Sequence, residues 1–265
     1  MSALLEVTAL RKAYAGVHAL DGVSFAVEAG TITGLIGPNG SGKSTAIDCI
    51  SGFQKLDDGK VVLAGHDITG RAAHLIARTG LMRTFQTVRV YERLSLRDNL
   101  AIAHQQFDPA TWIDEFLRTR RYRDAVAASE KRARGLVELI GLQRYYDAEA
   151  GILSYGQKKL VALASALMPN PKIVVLDEPV AGVNPSRIRE IEIALQQLNA
   201  AGETFLIVEH NVEFITNLCH RVIVLEQGRK LAEGSAAEIH TDPRVLEAYL
   251  GMTPEMVAAE MRGAA

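Results

Sequence analysis

A glycine-rich run at residues 37–44 constrains the fold of this 265-residue chain more than any other feature. The run is Gly-Pro-Asn-Gly-Ser-Gly-Lys-Ser, which satisfies the P-loop pattern of glycine, four free positions, glycine, lysine and a hydroxyl residue. Such a loop must join a buried strand to the start of a helix. Residues 31–36 are typical of a buried strand, and residues 43–51, which lack proline and glycine, suit the helix. We therefore expect an α/β fold with this loop at its centre.

The residue types in this loop match the demands of phosphate binding. Glycines let the backbone curl so that its N–H groups face phosphate oxygens, and a helix N-terminus adds the positive end of its dipole. Lys43 would reach the β- and γ-phosphates, and the Ser44 hydroxyl would bind Mg²⁺. The alternative, a glycine-rich loop without a ligand, is disfavoured by the flanking strand and helix. The predicted ATP-binding residues here are Gly37, Pro38, Asn39, Gly40, Ser41, Gly42, Lys43, Ser44 and Thr45.

A second apolar strand ends in two acidic residues. Asp177 and Glu178 follow the run Ile173-Val174-Val175-Leu176. In a P-loop ATPase an acidic residue at the end of a neighbouring strand holds the metal, so we predict this role for Asp177. Glu178 is then placed to accept a proton from the attacking water. Alone, the pair could be ordinary strand-end carboxylates, but beside a P-loop it indicates an ATPase.

Strands and helices alternate at both ends of the chain, and the middle, from about residue 94 to 168, is helical in pattern. The strands expected from apolar alternation or apolar runs are 4–7, 23–27, 31–36, 61–64, 81–85, 172–176 and 205–208, with a hairpin over 222–232. The expected helices are 43–51, one that opens at Ser95, 125–140, 160–168, 185–198 and 212–219. The predicted plan is an α/β core interrupted by a helical lobe.

Composition and charge exclude several classes of protein. The formal net charge of -2 gives no reason to expect a nucleic-acid partner. Because the only cysteines are Cys49 and Cys219, we expect free thiols in a reducing cytosol rather than a disulfide framework. Residues 1–10 do not resemble a signal peptide, and no apolar run approaches the roughly 20 residues that span a bilayer. We therefore expect a chain that is soluble by itself.

With these motifs in place, the sequence resembles the ATP-binding subunit of ABC transporters. Residues 153–157, Leu-Ser-Tyr-Gly-Gln, match the signature motif of that family, with Tyr155 where the commonest form has glycine. They lie upstream of the Asp-Glu strand at the family's interval. The resemblance implies that Ser154, Gly156 and Gln157 bind the γ-phosphate held by the P-loop of an opposite subunit. Ser154 also suits the N-cap of the helix that follows it.

Further positions follow the family pattern in the same order. Gln86 matches the Q-loop, His210 the switch histidine, and Tyr14 the aromatic residue that stacks on adenine. Residues 181–184 occupy the D-loop, although Asn184 replaces the usual aspartate. Taken singly, each has an ordinary explanation as an exposed polar side chain, a solvated imidazole, a packing tyrosine or a helix N-cap. The resemblance implies catalytic roles for Glu178, His210, Gln86 and Lys43, and metal binding by Ser44, Gln86 and Asp177.

The resemblance also implies an architecture and domain limits. The expected fold is α/β, a P-loop NTPase core built on a mixed sheet with N-terminal antiparallel strands and carrying an inserted helical subdomain. The expected ATPase domain covers 1–251, with its helical subdomain at about 88–168, and 252–265 form a C-terminal tail. Within the subdomain, an aromatic and basic insert is either a solvated helix with one apolar face or a docking or lipid-headgroup site; its residues are Trp112, Phe116, Arg118, Arg120, Arg121 and Arg123.

Finer details resemble the larger ATP-binding subunit of bacterial branched-chain (hydrophobic) amino-acid importers. They are the stretch 82–86, the insert after it, residues 153–159, the run 181–185 and the segment 245–251. This resemblance implies ATP and Mg²⁺ as ligands and a second ATPase subunit, identical or paralogous, as partner. It also implies two membrane permeases, an indirect link to a periplasmic substrate-binding protein, and no nucleic acid. The chain would lie peripherally on the cytoplasmic face of the inner membrane.

Other functions of similar ATPases remain as alternatives. Importers of urea, short amides or aromatic acids, and the lipopolysaccharide exporter, use similar subunits, and the ATPase does not touch the cargo. A non-transport ATPase with the same signature, such as a DNA-repair or translation factor, is a further alternative. The single P-loop, the lack of sustained heptads and the lack of a basic surplus disfavour that class.

Overall fold

The computed structural model describes residues 3–85, 88–105, 107 and 112–250, and in this part of the chain the strands form two sheets. The strands are β1 (Ala3–Tyr14), β2 (Val17–Glu28), β3 (Ile32–Ile36), β4 (Asp58–Leu63), β5 (His66–Asp67), β6 (Leu81–Arg83), β7 (Ile173–Asp177), β8 (Phe205–Val208), β9 (Arg221–Glu226) and β10 (Arg229–Gly234). The first sheet is antiparallel, in the order β2-β1-β4-β5. The second has the order β10-β9-β3-β8-β7-β6, in which only β10 runs antiparallel to its neighbour. The expected α/β fold, with a mixed sheet and N-terminal antiparallel strands, is confirmed.

The parallel strands are largely apolar between their ends because the sheet is covered on both faces. Side chains alternate across a strand, so Val174 and Leu176 of β7 enter one core cluster. Ile173 and Val175 enter the other, which also contains the apolar side chains of the antiparallel sheet. The sheet therefore separates a helix-lined core from a core shared with the N-terminal strands.

Ten α-helices are present among the described residues. They are α1 (Lys43–Ile50), α2 (Ala73–Thr79), α3 (Leu96–Gln105), α4 (Trp112–Phe116), α5 (Arg120–Leu139), α6 (Tyr155–Leu167), α7 (Pro185–Ala200), α8 (Val212–Leu218), α9 (Ala236–Thr241) and α10 (Pro243–Leu250). Helices α3 to α6 come between β6 and β7 in the chain, as the predicted helical lobe does. Short 3₁₀ turns at Gln143–Tyr145 and Ala150–Ile152 connect α5 to α6.

Several predicted boundaries were wrong. The strand expected at 4–7 runs to Tyr14, because a left-handed Ala9 and shifts of register interrupt its alternation. Helix α6 begins at Tyr155 rather than at 160, since the Ser154 cap starts it five residues before the apolar run. Other boundaries differ as well: β2 begins at 17, β4 at 58 and α5 at 120, β6 ends at 83, α7 at 200 and β10 at 234. Strand β5 and helices α2, α4, α9 and α10 were not among the predicted elements.

Both cysteines are free, as expected, and the side chains of both are buried. Burial raises the pKa of the Cys49 thiol to about 11 and that of Cys219 to about 12, so neither is a reactive thiolate at neutral pH. In the described ranges, no helix has both the length and the apolar character needed to cross a membrane.

Candidate nucleotide-binding site

The predicted site residues follow strands that lie side by side in the parallel sheet. Strands β3, β8, β7 and β6 are consecutive neighbours and parallel, so their carboxyl ends share one edge. The loop 37–44 follows β3, Asp177 ends β7, and Glu209 and His210 follow β8. Ligands of open α/β sheets bind at such an edge. The topology therefore brings these segments together at one place.

The loop 37–44 needs glycine at two positions where neighbouring backbone leaves no room for a side chain. Gly42, the N-cap of α1, has φ 103, a conformation that side chains disfavour, and a Cβ there would collide with the Ala19 carbonyl oxygen of β2. A Cβ on Gly37 would collide with the Leu225 carbonyl oxygen of β9. The loop is thus pressed between neighbouring strands, which fixes its curvature.

Lys43 and the N-terminus of α1 provide the positive charge of the loop. The Lys43 ammonium is largely buried and donates to the carbonyl oxygens of Gly37 at 2.7 Å and Pro38 at 3.0 Å. Burial lowers the pKa of Lys43, and the nearby charge of Glu178 opposes that shift. The first turn of α1 has no acidic residue, and its N-cap has no side chain to bind the free N–H groups.

These groups fit the phosphates of a nucleotide. Helix N–H groups and a desolvated ammonium favour an anion. The Ser41 hydroxyl is buried and has no hydrogen-bond partner among the described residues, so it remains a donor for a phosphate oxygen.

Asp177 lies where a metal ligand was predicted. Its side chain is 16% exposed, and its Oδ2 accepts a hydrogen bond from Arg83 Nη2 at 2.9 Å. Ser44, at the start of α1, is exposed. A carboxylate and a hydroxyl are suitable oxygen donors for Mg²⁺, which usually keeps waters and binds substrate phosphates rather than a complete protein cage. Accordingly, no group of three His, Cys, Asp or Glu able to hold a metal occurs in the described part of the chain.

Glu178 and His210 face each other across adjacent strands. Glu178 Oε1 and His210 Nδ1 are 3.9 Å apart. Glu178 has a left-handed backbone, with φ 48, and is held at both backbone polar groups. Its N–H donates to Val208 O at 2.9 Å, and its carbonyl accepts from Lys159 Nζ at 2.7 Å. The strained peptide is therefore fixed by β8 and by α6.

Glu209 is a buried carboxylate that the sequence reasoning missed. It is 1% exposed, and its Oε1 accepts from the Val180 N–H at 3.0 Å. Its Oε2 accepts from the His210 N–H at 3.0 Å. One side chain thus binds the loop after β7 to the loop after β8. The motif Val-Glu-His at the strand end was the available signal, but a lone glutamate before a histidine has little specificity.

The signature segment packs against the D-loop segment of the same chain. Ser154 accepts from Gln157 N at 3.3 Å, while the Gln157 side chain accepts from the Ser154 N–H at 2.9 Å, so the predicted cap is a full capping box. The half-exposed ring of Tyr155 lies beside Gly182. Asn184 caps α7 through Ser186 N at 3.0 Å, which confirms its N-cap interpretation.

The remaining predicted residues are placed less decisively. Tyr14 is 43% exposed and carries Lys12 Nζ 5.4 Å from its ring centroid, in the β1–β2 hairpin whose Ala19 borders Gly42. Gln86, the side chain of Trp112 and the tail 252–265 lie outside the described residues. In the insert, Phe116 is exposed, as are Arg118, Arg120, Arg121 and Arg123, so both interpretations of this segment stay open.

Two positively charged residues that contact the site were also missed by the sequence reasoning. Arg83 binds Asp177, and Lys159 binds the Glu178 carbonyl. Burial lowers the pKa of Lys159, an effect opposed by the charges of Glu209, Glu178 and Asp177. Their partners are distant in sequence, so only the sheet order and the packing of α6 reveal the contacts.

Two models of protein families match the sequence. The model described as ABC transporter matches residues 20–181. A second, described as branched-chain amino acid ATP-binding cassette transporter, matches residues 229–251.

Curated relatives are similar over nearly the full length. The high-affinity branched-chain amino acid transport ATP-binding protein BraF of Pseudomonas aeruginosa is 32% identical over 94% of this chain and 98% of its own. The probable branched-chain amino acid transport ATP-binding protein LivG of Archaeoglobus fulgidus is 38% identical over 94% of this chain and 95% of its own. The high-affinity branched-chain amino acid transport ATP-binding protein LivG of Escherichia coli is 34% identical over 94% of this chain and 98% of its own.

Solved structures show the same fold. The ADP conformation of an ATP-binding cassette of an ABC transporter superposes with a TM-score of 0.81 at 34% identity, covering 95% of this chain and all of that one. A nucleotide-free ATP-binding cassette from an ABC transporter gives a TM-score of 0.79 at 36% identity, with 95% of this chain covered.

Proposed function

Since this chain belongs to the ABC transporter family of ATP-binding cassettes, and is therefore an ATPase, we propose that it powers an importer of branched-chain or other hydrophobic amino acids. The match of residues 229–251 to the branched-chain model carries this proposal. The core match at 20–181 is common to the whole family and has no information about cargo. The relatives, whose names specify branched-chain amino acid transport, support the same cargo.

We assign the loop 37–44, with Lys43, to the β- and γ-phosphates of ATP, and Tyr14 to the adenine. The burial of the Lys43 ammonium supports this role, because a desolvated cation interacts strongly with phosphate. Mg²⁺ would neutralise charge on the phosphates, held by Ser44, Asp177 and Gln86. Thr45, next in α1, would add its N–H group to the anion site.

We assign Glu178 as the general base that accepts a proton from the attacking water, and His210 as the group that orients it and senses the γ-phosphate. The 3.9 Å approach of these side chains supports the pairing. The peptide of Glu178 is anchored at both its N–H and C=O, so the carboxylate is carried on a fixed backbone. A positioned base contributes on the order of 10²–10⁴ in rate.

We further propose that each site is completed by the signature of a second subunit, identical or paralogous. Ser154, Gly156 and Gln157 lie at the N-terminus of α6, which is an anion-binding end. The capping bond uses Ser154 Oγ as an acceptor, so the hydroxyl hydrogen can still be donated to a phosphate. ATP would then bridge two subunits, and hydrolysis would remove the bridging charge.

The remaining assignments concern assembly and domain limits. We propose two membrane permeases and, through them, a periplasmic substrate-binding protein as partners, which places the chain on the cytoplasmic face of the inner membrane. The names of the relatives, each a transport ATP-binding protein, support these partners. We keep 1–251 as the ATPase domain, with the helical subdomain at about 88–168 and a tail at 252–265.

Reconstitution of the native complex tests the cargo. The tagged chain would be purified from its own membranes, the copurifying permeases identified, and the complex placed in proteoliposomes with its binding protein. We expect leucine, isoleucine or valine to stimulate ATP hydrolysis, and a Lys43→Ala complex to show no stimulation. Stimulation only by urea, an amide or an aromatic acid would show that the cargo is that compound and not a branched-chain amino acid. If no permease copurifies and the chain alone hydrolyses ATP at the full rate, the importer proposal is overturned.

A further inference from the structure

Arg83 lies between two carboxylates, at the end of β6. Its Nη2 donates to Asp177 Oδ2 at 2.9 Å, and its Nη1 donates to Asp48 Oδ1 at 2.6 Å and to Ser51 Oγ at 3.1 Å. Asp48 belongs to α1 and Ser51 follows it, so one guanidinium joins the helix after the P-loop to the acidic end of β7. The side chain of Arg83 is only 8% exposed.

Two phenylalanine rings cover this guanidinium. Arg83 Cζ lies 5.5 Å from the centroid of Phe53 and 5.4 Å from that of Phe85. The rings meet edge to face, with centroids 5.4 Å apart and an interplanar angle of 88°. Each ring is about half exposed, so they form a lid between solvent and the charge beneath them. This cover strengthens the bonds to the carboxylates, because it removes water that would compete for them.

Arg83 binds the two carboxylates through its terminal nitrogens but leaves one of its own N–H donors without a partner. Arg83 Nε is buried and has no partner within the described ranges. A buried N–H without a partner is unfavourable, so the fork geometry of the two terminal nitrogens must compensate for it. A lysine, whose charge is a single point, cannot bridge both carboxylates in this way.

We propose that Arg83 is a positioning residue for the metal-binding carboxylate: by holding Asp177 Oδ2 against α1, it directs the other carboxylate oxygen toward the ion. This inference rests on the proposed function, in which Asp177 and Ser44 hold Mg²⁺. These two of the proposed metal ligands are then fixed relative to one element, because Ser44 lies in α1 and Arg83 ties Asp177 to Asp48 of the same helix. Partners of this kind behind a ligand tune which ion is bound.

A comparison of Mg²⁺ and Ca²⁺ binding distinguishes a positioning role of Arg83 from a purely electrostatic role. Mg²⁺ demands near-ideal octahedral geometry, whereas Ca²⁺ tolerates irregular coordination. Loss of a positive charge would change the affinity for both ions in one direction, but loss of orientation would affect Mg²⁺ more. The measurement is binding of a fluorescent ATP analogue to the full chain, titrated with Mg²⁺ or Ca²⁺ and repeated in EDTA.

We expect Arg83→Gln to raise the ratio of half-saturating Mg²⁺ to half-saturating Ca²⁺ about tenfold, with binding in EDTA unchanged within about twofold. Arg83→Lys should behave in the same way, because it keeps the charge and loses the bridge. Arg78→Gln is the matched control, since this exposed arginine of α2 lines a surface cleft together with Arg83 and does not contact Asp177, and it should leave the ratio unchanged. If Arg83→Gln does not fold, Asp48→Asn replaces it, with a smaller rise in the ratio expected.

The outcomes distinguish this inference from the function on which it rests. Two results would overturn the positioning role and show that Arg83 acts only through its charge. One is an equal change in the half-saturating concentrations of Mg²⁺ and Ca²⁺ in Arg83→Gln, and the other is wild-type selectivity in Arg83→Lys. Loss of analogue binding in EDTA together with a lower melting temperature would mean that Arg83 only supports the fold. Asp177→Asn should remove the metal dependence of binding altogether; if it does not, the assignment of the metal ligand fails, whatever Arg83 does.

Discussion

At the scale of single residues, Glu209 shows how a buried charge can organise the site without touching a ligand. Its carboxylate accepts hydrogen bonds from the N–H of Val180, two residues after Glu178, and from the N–H of His210. It therefore contacts the backbone near both members of the proposed catalytic pair. A carboxylate is an acceptor at both oxygens, which is what two converging N–H groups require. The position of His210 relative to Glu178 therefore depends on a side chain that is 1% exposed.

We predict that Glu209→Gln destabilises the chain by about 1–3 kcal/mol, because the amide nitrogen would be a donor facing another donor. The variant should also hydrolyse ATP more slowly, since the loops of Glu178 and His210 lose their shared anchor. Urea denaturation and steady-state ATPase assays measure the two effects. Glu6→Gln, at an exposed position of β1, is the control, with an expected change in unfolding free energy within about 0.5 kcal/mol. Stability equal to the wild type would show that a water or a rearranged loop replaces the lost acceptor.

The residues predicted from sequence and those missed differ in what identifies them. Lys43, Ser44 and Asp177 were predicted as site residues because a local pattern, a loop between strand and helix or a strand ending in acid, specifies their chemistry. Arg83, Lys159 and Glu209 act through contacts with residues far along the chain. Their roles follow from the neighbour order β8-β7-β6 and from the packing of α6, which no local pattern encodes.

At the scale of secondary-structure elements, the N-terminus of α7 shows why Asn184 can replace the usual aspartate. Its Oδ1 accepts from Ser186 N at 3.0 Å and from Ser186 Oγ at 2.8 Å, and Pro185 occupies the first helical position. Asparagine and aspartate cap helices about equally well. The replacement is therefore neutral for the helix, and the proposed contact of this segment with a second subunit is where an effect is expected.

We predict that Asn184→Asp leaves the free energy of unfolding within about 0.5 kcal/mol of wild type, whereas Asn184→Ala loses about 1 kcal/mol. Urea denaturation of the isolated chain checks both values. If Asn184→Asp alters ATP turnover at unchanged stability, the change acts outside the cap, which supports a role of this segment in the proposed dimer. An Asn184→Ala chain as stable as wild type would contradict the capping role.

The accuracy of the predicted elements followed burial. Strand β8 was predicted at its true bounds, and β3 and β7 within one residue, because strands covered on both faces are continuously apolar. At the sheet margins the pattern is weaker. In β1, bulges and the left-handed Ala9 break the alternation, and in α6 the polar first turn hides the start of the helix from a search for apolar spacing.

At the scale of the whole molecule, the two helix ends proposed to bind phosphate have different surroundings. The N-terminus of α1 carries the loop 37–44, Lys43 and the nearby Glu178, whereas the N-terminus of α6 carries the signature and packs on the D-loop segment. Lys159 connects them, since it lies in α6 and binds the carbonyl of Glu178. A second subunit that contacts the signature would thus act, through α6, on the peptide of the proposed base Glu178 in the same chain.

We predict that Glu178→Gln binds ATP, hydrolyses it about 10²–10⁴-fold more slowly, and accumulates as a closed dimer. Glutamine keeps the size of the side chain but cannot accept the proton, so the γ-phosphate persists and its charge continues to hold the P-loop of one subunit to the signature of the other. Light scattering after gel filtration, with ATP and Mg²⁺ and then with ADP, measures the mass of the species. The paralogous ATPase subunit from the native complex would be added in a parallel sample.

Controls test separately the role of Glu178 as base and the sharing of the site between two subunits. Glu190→Gln, an exposed carboxylate of α7, should turn over normally and remain a monomer when ATP is exhausted. Wild-type turnover in Glu178→Gln would remove Glu178 from the role of base. A dimer that forms only with the paralogous subunit would identify the native pair as a heterodimer. An ATP-loaded monomer in both samples would mean that each P-loop works alone, because a phosphate that bridges two subunits cannot persist without joining them.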